Sequence, residues 1–180
     1  EPTAEQLAEI AVATAQLARH LLNVKPRVAL LSYSTKGSAT HPSIGKMKAA
    51  TALAERKAKD KFLEAEFDGE MQVDTALVTE IAGRKTNDPK VAGHANVLIF
   101  PDLNSGNIAS KLVRIVSRAN AYGQILLGLN RPAADVSRGS NAPVTLWPER
   151  CRGSGWGACC CANRTQAAES AAQRSSVRMS

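Results

Sequence analysis

Residues 27–38, RVALLSYSTKGS, join a strand to a polar loop. The segment RVALLSY is a short, mainly apolar run of the kind found in strands that are buried on both faces. The residues after it carry hydroxyl groups or a charge, apart from one glycine, so the chain leaves the strand through a polar loop. A buried strand that ends in such a loop is typical of sheets covered by helices on both sides.

Similar strands recur along the chain and alternate with helices. Further strands are predicted at residues 62–67 (FLEAEF), 96–100 (NVLIF) and 124–129 (QILLGL). Helices are predicted at 3–22 with a capping box of Thr3 and Gln6, at 44–59, at 74–81 with Asp74 as the cap, and from Ser105 onward. This alternation predicts an α/β fold with a doubly wound, mainly parallel sheet and helices on both faces.

The distribution of charge argues against nucleic acid as a partner. The chain has 180 residues and a formal net charge of +7, but basic residues of the first three quarters mostly alternate with acidic ones, as in ERKAKDK at 55–61. Such runs are typical of solvated helix faces. Aromatic residues make up only 4% of the chain, so no surface for base stacking is indicated. A modest positive field suits small anions such as phosphates.

The same composition predicts a protein that acts away from membranes. No apolar run approaches the roughly 20 residues that a membrane-spanning helix needs. The beginning of the chain, EPTAEQLAEIAVA, lacks the basic start and the apolar centre of an export signal. We therefore expect no membrane partner and a cytoplasmic location.

Neither a metal site nor a disulfide framework is predicted. All four cysteines lie in the segment 151–161, far from any histidine and without paired CxxC spacing. Asp68, Glu70 and Asp74 are the closest approach to a cluster of oxygen ligands, but Asp74 is better explained as a helix cap. We expect no metal and no permanently bound cofactor.

Polar loops follow three of the predicted strands. Because ligands of doubly wound sheets bind beyond the carboxyl ends of the strands, these loops are the candidate binding site. They supply hydroxyls and an ammonium group after the first strand, small residues at a helix start after the third, and an arginine after the last: Ser34, Thr35, Lys36 and Ser38; Ser105, Gly106 and Asn107; Ser137 and Arg138. Turn and cap chemistry explains each loop taken alone, whereas their convergence favours an anion site.

Four motifs in this order resemble the phosphate acetyltransferase family, also called phosphotransacetylase. They are PRVALLSYSTKGS, DGEMQVDTALV, VAGHANVLIFPDLNSGNI and DVSRG, and together they extend the resemblance over residues 1–138. The phosphate butyryltransferases resemble the chain less closely and rank second. The resemblance implies the second α/β domain of an isocitrate/isopropylmalate dehydrogenase-like fold at 1–139, with an active site shared with a preceding domain and with dimerisation through the second domain.

The resemblance also implies a reaction and its residues. Family members interconvert acetyl-CoA plus phosphate with acetyl phosphate plus CoA by direct attack of the CoA thiol. By this similarity Ser137 is a hydrogen-bonding group to the acyl phosphate and Arg138 holds phosphate. The family's catalytic aspartate falls on Val144 and a second arginine on Ile115, for which Arg118, about one helical turn further on, is the better substitute.

Residues 140–180 form an atypical tail with two candidate origins. Prolines and glycines interrupt any helix there, and the low-complexity composition differs from that of the rest of the chain. A reading-frame shift near Asn141 would explain the loss of the aspartate, and a natural low-complexity tail is the alternative. We expect a fragment with little activity alone; a non-catalytic module that binds CoA or phosphate, or that dimerises, is the alternative function.

Overall fold

A computed structural model describes residues 1–87, 90–118, 124–129 and 133–135. The predictions for Ser137, Arg138, Val144 and the tail 140–180 lie outside the described residues. The chain divides into two compact units, Glu1–Leu112 and Val113–Ser180, which are described one at a time.

A three-stranded parallel sheet forms the centre of the first unit. Strand β1 (Arg27–Leu31) lies between β2 (Glu66–Met71) and β3 (Val97–Ile99), and both pairs are parallel. The prediction of β1 is confirmed, and four of its five residues are buried, as the apolar run indicates. Since the carboxyl ends of parallel strands share one edge, the loops that follow β1, β2 and β3 leave the sheet on the same side.

The predicted position of the second strand is wrong by about four residues. The segment 62–67 looks like a strand because it is apolar, but its first residues terminate the preceding helix. The backbone of Phe62 is left-handed (φ 51), its side chain is 93% exposed, and its N–H and that of Leu63 donate to Lys59 and Ala58. The strand therefore begins only at Glu66 and continues into the polar motif that follows.

Helices α1 (Ala4–Leu22) and α2 (Pro42–Asp60) cover one face of this sheet. The capping box at the start of α1 is confirmed, with Thr3 and Gln6 each accepting the other's backbone N–H. The core on this face combines small and branched side chains from both helices with one side of the strands: Leu7, Ala11, Val12, Ala15, Met47, Ala50, Ala54, Val28, Leu30, Phe67, Val97 and Ile99. The many alanines let the helices approach the strands closely.

Two short helices, α3 (Val73–Leu77) and α4 (Thr79–Lys85), contribute to the opposite face. Their core joins Ala76 and Ala82 to Ala29, Leu31 and Met71 of the strands. The single helix predicted at 74–81 is wrong, because Val78 is extended (φ −114, ψ 112) and separates the two. Asp74 lies inside the first turn, and Gln72 occupies the cap position. With helices on both faces of a parallel sheet, the predicted α/β class is confirmed.

The boundary between the units falls within α5 (Leu103–Val116), a helix without buried residues. In the second unit, β4 (Gln124–Leu126) pairs antiparallel with β5 (Ala133–Asp135). Among the described residues β4 therefore does not extend the parallel sheet, contrary to the prediction. The six residues between β4 and β5 suit an antiparallel hairpin and are too few for a parallel crossover, which explains the direction of this pair. None of the described helices is long and apolar enough to span a membrane.

Candidate functional site

The backbone N–H groups of the turn after β1 are all used in hydrogen bonds within the protein. Every backbone N–H from Ser34 to Ala39 has an acceptor within the first unit: in order these are Ser32 Oγ, Ser38 Oγ, Glu70 O, Glu70 Oε1, Thr35 O and Ser34 Oγ. Lys36 and Gly37 adopt left-handed backbone conformations (φ 48 and 85) that allow the chain to reverse here. The turn therefore offers side chains, and not backbone N–H groups, to a ligand.

Glu70 is the acceptor around which this turn is built. Its side chain is 1% exposed, and its Oε1 accepts hydrogen bonds from the Gly37 N–H at 2.6 Å and from the Ser34 hydroxyl at 3.1 Å. The hydroxyls of Ser34 and Ser38 lie 3.3 Å apart. The buried carboxylate thus explains the serine at position 34, whose hydroxyl donates to it. The glycine at position 37 is explained by its left-handed backbone, which directs the N–H at the same oxygen.

Asp68 and Lys36 form a second pair beside the turn. The Lys36 ammonium donates to Asp68 Oδ1, which also accepts the Gly69 N–H at 2.8 Å. The Asp68 side chain is mostly buried, whereas the Lys36 side chain remains about one third exposed. A positive group consequently faces solvent above a buried negative one.

Thr35 links the turn to the start of α3. Its hydroxyl donates to Gln72 Oε1 at 3.2 Å and accepts the Gln72 N–H at 3.0 Å. Lys85 of α4 donates to the same Gln72 oxygen and to both carboxylate oxygens of Asp74. The pKa of Asp74 is lowered below its ordinary value, and the hydrogen bond from Lys85 is the largest cause. These hydrogen bonds connect the turn after β1 to the start of α3 and to the end of α4.

Asp102 occupies the beginning of α5. Its Oδ1 accepts the Ser105 N–H at 2.8 Å, and its backbone oxygen accepts the Gly106 N–H at 3.2 Å and the Ser105 hydroxyl at 3.0 Å. The N–H of Ser105 is the main cause of a lowered pKa of Asp102. The helix begins two residues before Ser105, which corrects the predicted start, and Asp102 takes up the first donors of the helix.

Some of the predicted site residues come together and others do not. The structure brings Ser34, Thr35, Lys36 and Ser38 into one turn, and it places Ser105, Gly106 and Asn107 in the first turns of α5. Arg118 follows α5 in the second unit, with a left-handed backbone (φ 52). None of these contacts tests a binding role for any of the residues, so the assignments stay predictions.

Sequence reasoning missed Glu70 as the centre of the turn and Lys48 of α2 as its neighbour. The Lys48 Nζ lies 3.8 Å from Glu70 Oε2, and 3.4 Å from the point where a Cβ on Gly37 would lie. Glu70 lies in β2, one residue before its carboxyl end, and this position at the ligand-binding edge of a parallel sheet is the signal that could have marked it. Lys48 gives no such signal because it lies in a helix rich in lysine. Among the described residues no group of three or more metal-ligand side chains occurs.

Comparisons with known proteins identify relatives of this chain. The model of the family described as phosphate acetyl/butaryl transferase matches residues 1–145. Phosphate acetyltransferase of Thermoanaerobacterium thermosaccharolyticum is 51% identical over 138 residues, and that of Acetivibrio thermocellus is 49% identical over 141 residues. These matches cover 77% and 78% of this chain, and the chain spans only 41% of the length of either relative.

Solved structures show the same similarity. The EutD phosphotransacetylase of Staphylococcus aureus matches with a TM-score of 0.75 at 42% identity, over 80% of this chain and 43% of that protein. A phosphotransacetylase of Streptococcus pyogenes matches with a TM-score of 0.73 at 46% identity, over 80% and 42%. The described fold therefore corresponds to less than half of each of these proteins.

Proposed function

Because the chain belongs to the phosphate acetyl/butaryl transferase family, we propose that it takes part in acetyl transfer between coenzyme A and phosphate. The reaction interconverts acetyl-CoA plus phosphate with acetyl phosphate plus CoA. The observation that carries the proposal is the sequence identity of 45–51% to relatives named phosphate acetyltransferase. CoA, phosphate and acetyl phosphate are then substrates, and no permanently bound cofactor takes part.

The acetyl group is the proposed acyl group because of the names of the closer relatives. A branched-chain phosphotransacylase of Enterococcus faecalis is only 24% identical and supports the fold alone. A butyryltransferase-like activity is therefore the second candidate. The kinetic comparison of acetyl phosphate with butyryl phosphate as acyl donors separates the two.

In the proposed mechanism the sulfur of CoA attacks the acyl carbon of acetyl phosphate. A C–S bond forms, the bond between the acyl carbon and the phosphate oxygen breaks, and phosphate leaves with the electron pair of that bond. The thiol proton must pass to a base. By resemblance to the family, Ser137 hydrogen-bonds the acyl phosphate and Arg138 holds its phosphate group in a bidentate contact. Val144 cannot accept the proton, since its side chain is apolar.

Features at the carboxyl edge of the sheet support an anionic substrate. The ammonium groups of Lys36 and Lys48 are partly exposed above buried carboxylates. The proposed substrate residues after β1 lie in this same turn, and those of α5 follow β3, whose carboxyl end is at the same edge. Arg118 is proposed as the further phosphate-binding arginine of the second unit.

We also propose that the chain pairs with a second copy. The support is α5, on which six large apolar side chains are more than half exposed: Leu103, Ile108, Leu112, Val113, Ile115 and Val116. Apolar patches of this kind mark contact surfaces more often than free surfaces. Light scattering on the purified chain is expected to give the mass of a dimer, and a monomeric mass at all concentrations would refute pairing. A cytoplasmic location is proposed on the same family resemblance.

The proposed activity is tested by CoA-dependent consumption of acetyl phosphate with the purified 180-residue chain. We expect slow turnover, because the loss of a general base costs about 100- to 10,000-fold in rate. Arg138→Ala is expected to abolish the remaining turnover, whereas Arg56→Ala, which removes an exposed arginine of α2, is expected to leave it unchanged. Equal effects of the two substitutions would contradict the assignment of Arg138. Turnover at the rate of a full-length relative would contradict the expected impairment.

A further inference from the structure

Two buried carboxylate oxygens near the turn lack a hydrogen bond within the described part of the chain. They are Asp68 Oδ2 and Glu70 Oε2. Buried polar atoms are nearly always paired, so each exception calls for an explanation. Glu70 is the more extreme case because its side chain is almost completely covered. Its partner for Oε2 is the Lys48 ammonium at 3.8 Å, a distance that permits an ion pair but is too long for a hydrogen bond.

The position of Lys48 is defined by the turn. Its Nζ lies close above Gly37, so any larger residue at Gly37 would contact the ammonium. Half of the Lys48 side chain is exposed, on the solvent side of the buried Glu70. The Lys48 ammonium is therefore attracted by the buried Glu70 carboxylate, while half of its side chain remains exposed to solvent.

Lys48 differs in one respect from the other lysines at this edge of the sheet. The ammonium groups of Lys36, Lys46 and Lys85 all donate hydrogen bonds to protein oxygens. No described residue accepts a hydrogen bond from Lys48, so all three of its N–H donors remain for a ligand. An ammonium group that is attracted to a buried carboxylate and keeps unused donors is suited to a phosphate group, which accepts several charge-assisted hydrogen bonds.

We propose that Lys48 is a ligand-binding residue whose ammonium, together with that of Lys36, contacts a phosphate group of a substrate. This inference rests on the proposed function and adds to it a residue on α2 that the sequence motifs do not indicate. Glu70 is the positioning residue of this subsite, since it holds both the Gly37 turn and Lys48. The phosphate group belongs either to acetyl phosphate or to coenzyme A, and the two sources are distinguished by the choice of ligand.

Titration calorimetry on the purified 180-residue chain tests the proposal. The ligands are inorganic phosphate, acetyl phosphate, CoA and dephospho-CoA, which lacks the 3′-phosphate. Lys48→Gln is expected to raise the Kd of at least one of them about tenfold, as the loss of a charge-assisted hydrogen bond does. The matched control is Lys57→Gln, which removes the same charge from the same helix at a site paired with Glu9 at 3.0 Å. It is expected to change no Kd by more than about twofold.

The pattern across ligands identifies the source of the phosphate. Weaker binding of inorganic phosphate and acetyl phosphate assigns the subsite to the transferred group. Weaker binding of CoA, with dephospho-CoA unaffected by the substitution, assigns it to the 3′-phosphate, and equal weakening of both assigns it to the pyrophosphate. Lys48→Arg is expected to restore most of the affinity because it restores the charge.

Each remaining outcome contradicts a particular claim. If the unsubstituted chain binds the ligands and Lys48→Gln behaves like Lys57→Gln, this inference is wrong and the proposed function stands. If the unsubstituted chain binds none of the four ligands, the proposed function is wrong and the inference is wrong with it. Where Lys48→Gln fails to fold because Glu70 is left unpaired, the double variant Lys48→Gln/Glu70→Gln removes both charges and is expected to show the same loss of binding.

Discussion

The two ends of the parallel sheet use charged side chains in different ways. At the amino end, Arg19 pairs with Glu64 at 3.0 Å and Lys25 pairs with Glu66 at 2.7 Å, and these side chains are between 31% and 78% exposed. At the carboxyl end, Glu70 accepts its hydrogen bonds under cover of the turn. Exposed ion pairs contribute little to stability, whereas a buried carboxylate must be satisfied by its surroundings. The difference indicates that the buried charge at the carboxyl end orders the turn after β1, whereas the charges at the amino end form exposed or half-buried pairs.

The largest effect is expected from Glu70→Ala. This substitution leaves the Ser34 hydroxyl and the Gly37 N–H without their acceptor and opens a space in the interior. We expect the free energy of unfolding to fall by about 3 kcal/mol, measured by urea denaturation. Glu64→Ala at the amino end is the matched control and is expected to cost less than about 1 kcal/mol. Equal losses of unfolding free energy in the two variants would show that the buried and the exposed carboxylates contribute equally to stability.

A somewhat smaller effect is expected from Gly69→Ala, which tests how closely the carboxyl end is packed. A Cβ at Gly69 would lie 2.8 Å from both Leu30 O and Thr51 Oγ1. Because the backbone of β1 cannot move away easily, we expect a loss of about 1–3 kcal/mol in the same measurement. Gly45→Ala in α2 is the control, since nothing lies within 4 Å of its Cβ position. That substitution is expected to stabilise the helix by about 0.5–1 kcal/mol, and destabilisation by it would show that space alone is not decisive.

The pair of Asp74 and Lys85 is expected to add a small acid-dependent contribution. The pKa of Asp74 is lowered in the folded chain, chiefly by the hydrogen bond from Lys85. Its stabilising effect is therefore complete above the ordinary pKa of an aspartate and is lost as the pH falls through the lowered value. Asp74→Asn is expected to flatten the decrease in stability below about pH 4, followed by thermal unfolding across pH. An unchanged acid profile would show that the pair contributes nothing measurable.

The smallest effect is expected from the pair of Arg19 and Glu64. A double-mutant cycle with Arg19→Ala and Glu64→Ala is expected to give a coupling of about 0.2–1 kcal/mol, because solvent screens both groups. Added salt is expected to reduce it further. A coupling above about 2 kcal/mol would mean that the amino end of the sheet also depends on its ion pairs for stability.

Local signals predicted the elements whose chemistry is local. The capping box of Thr3 and Gln6 and the apolar run of β1 are confirmed, because both depend on residues a few positions apart. The strand at 62–67 and the helix at 74–81 failed for a different reason. Phe62 is apolar although it ends a helix in solvent, and Val78 breaks a helical pattern through its backbone conformation alone.

The candidate site was only partly predictable for a related reason. The loop 34–38 could be recognised from its residue types and its place after a strand. Its acceptor, Glu70, lies 36 positions from Ser34, and only the pairing of β1 with β2 brings them together. Lys48 depends on the packing of α2 against the same strands, which no short motif encodes. The sequence therefore predicted the loop itself, but not the contacts of the loop with residues distant in sequence.

The hydrogen-bonded turn after β1 has a consequence for the thermodynamics of the proposed phosphate binding. A loop that is ordered only by its ligand loses conformational entropy on binding, and this loss reduces the affinity. Here the backbone between Ser34 and Ala39 has already lost that freedom during folding. A ligand that reaches Lys36 and Lys48 then needs to immobilise only the ends of two lysine side chains. If Lys36 and Lys48 bind phosphate as proposed, the turn ordered by the buried Glu70 lowers the entropy cost of that binding.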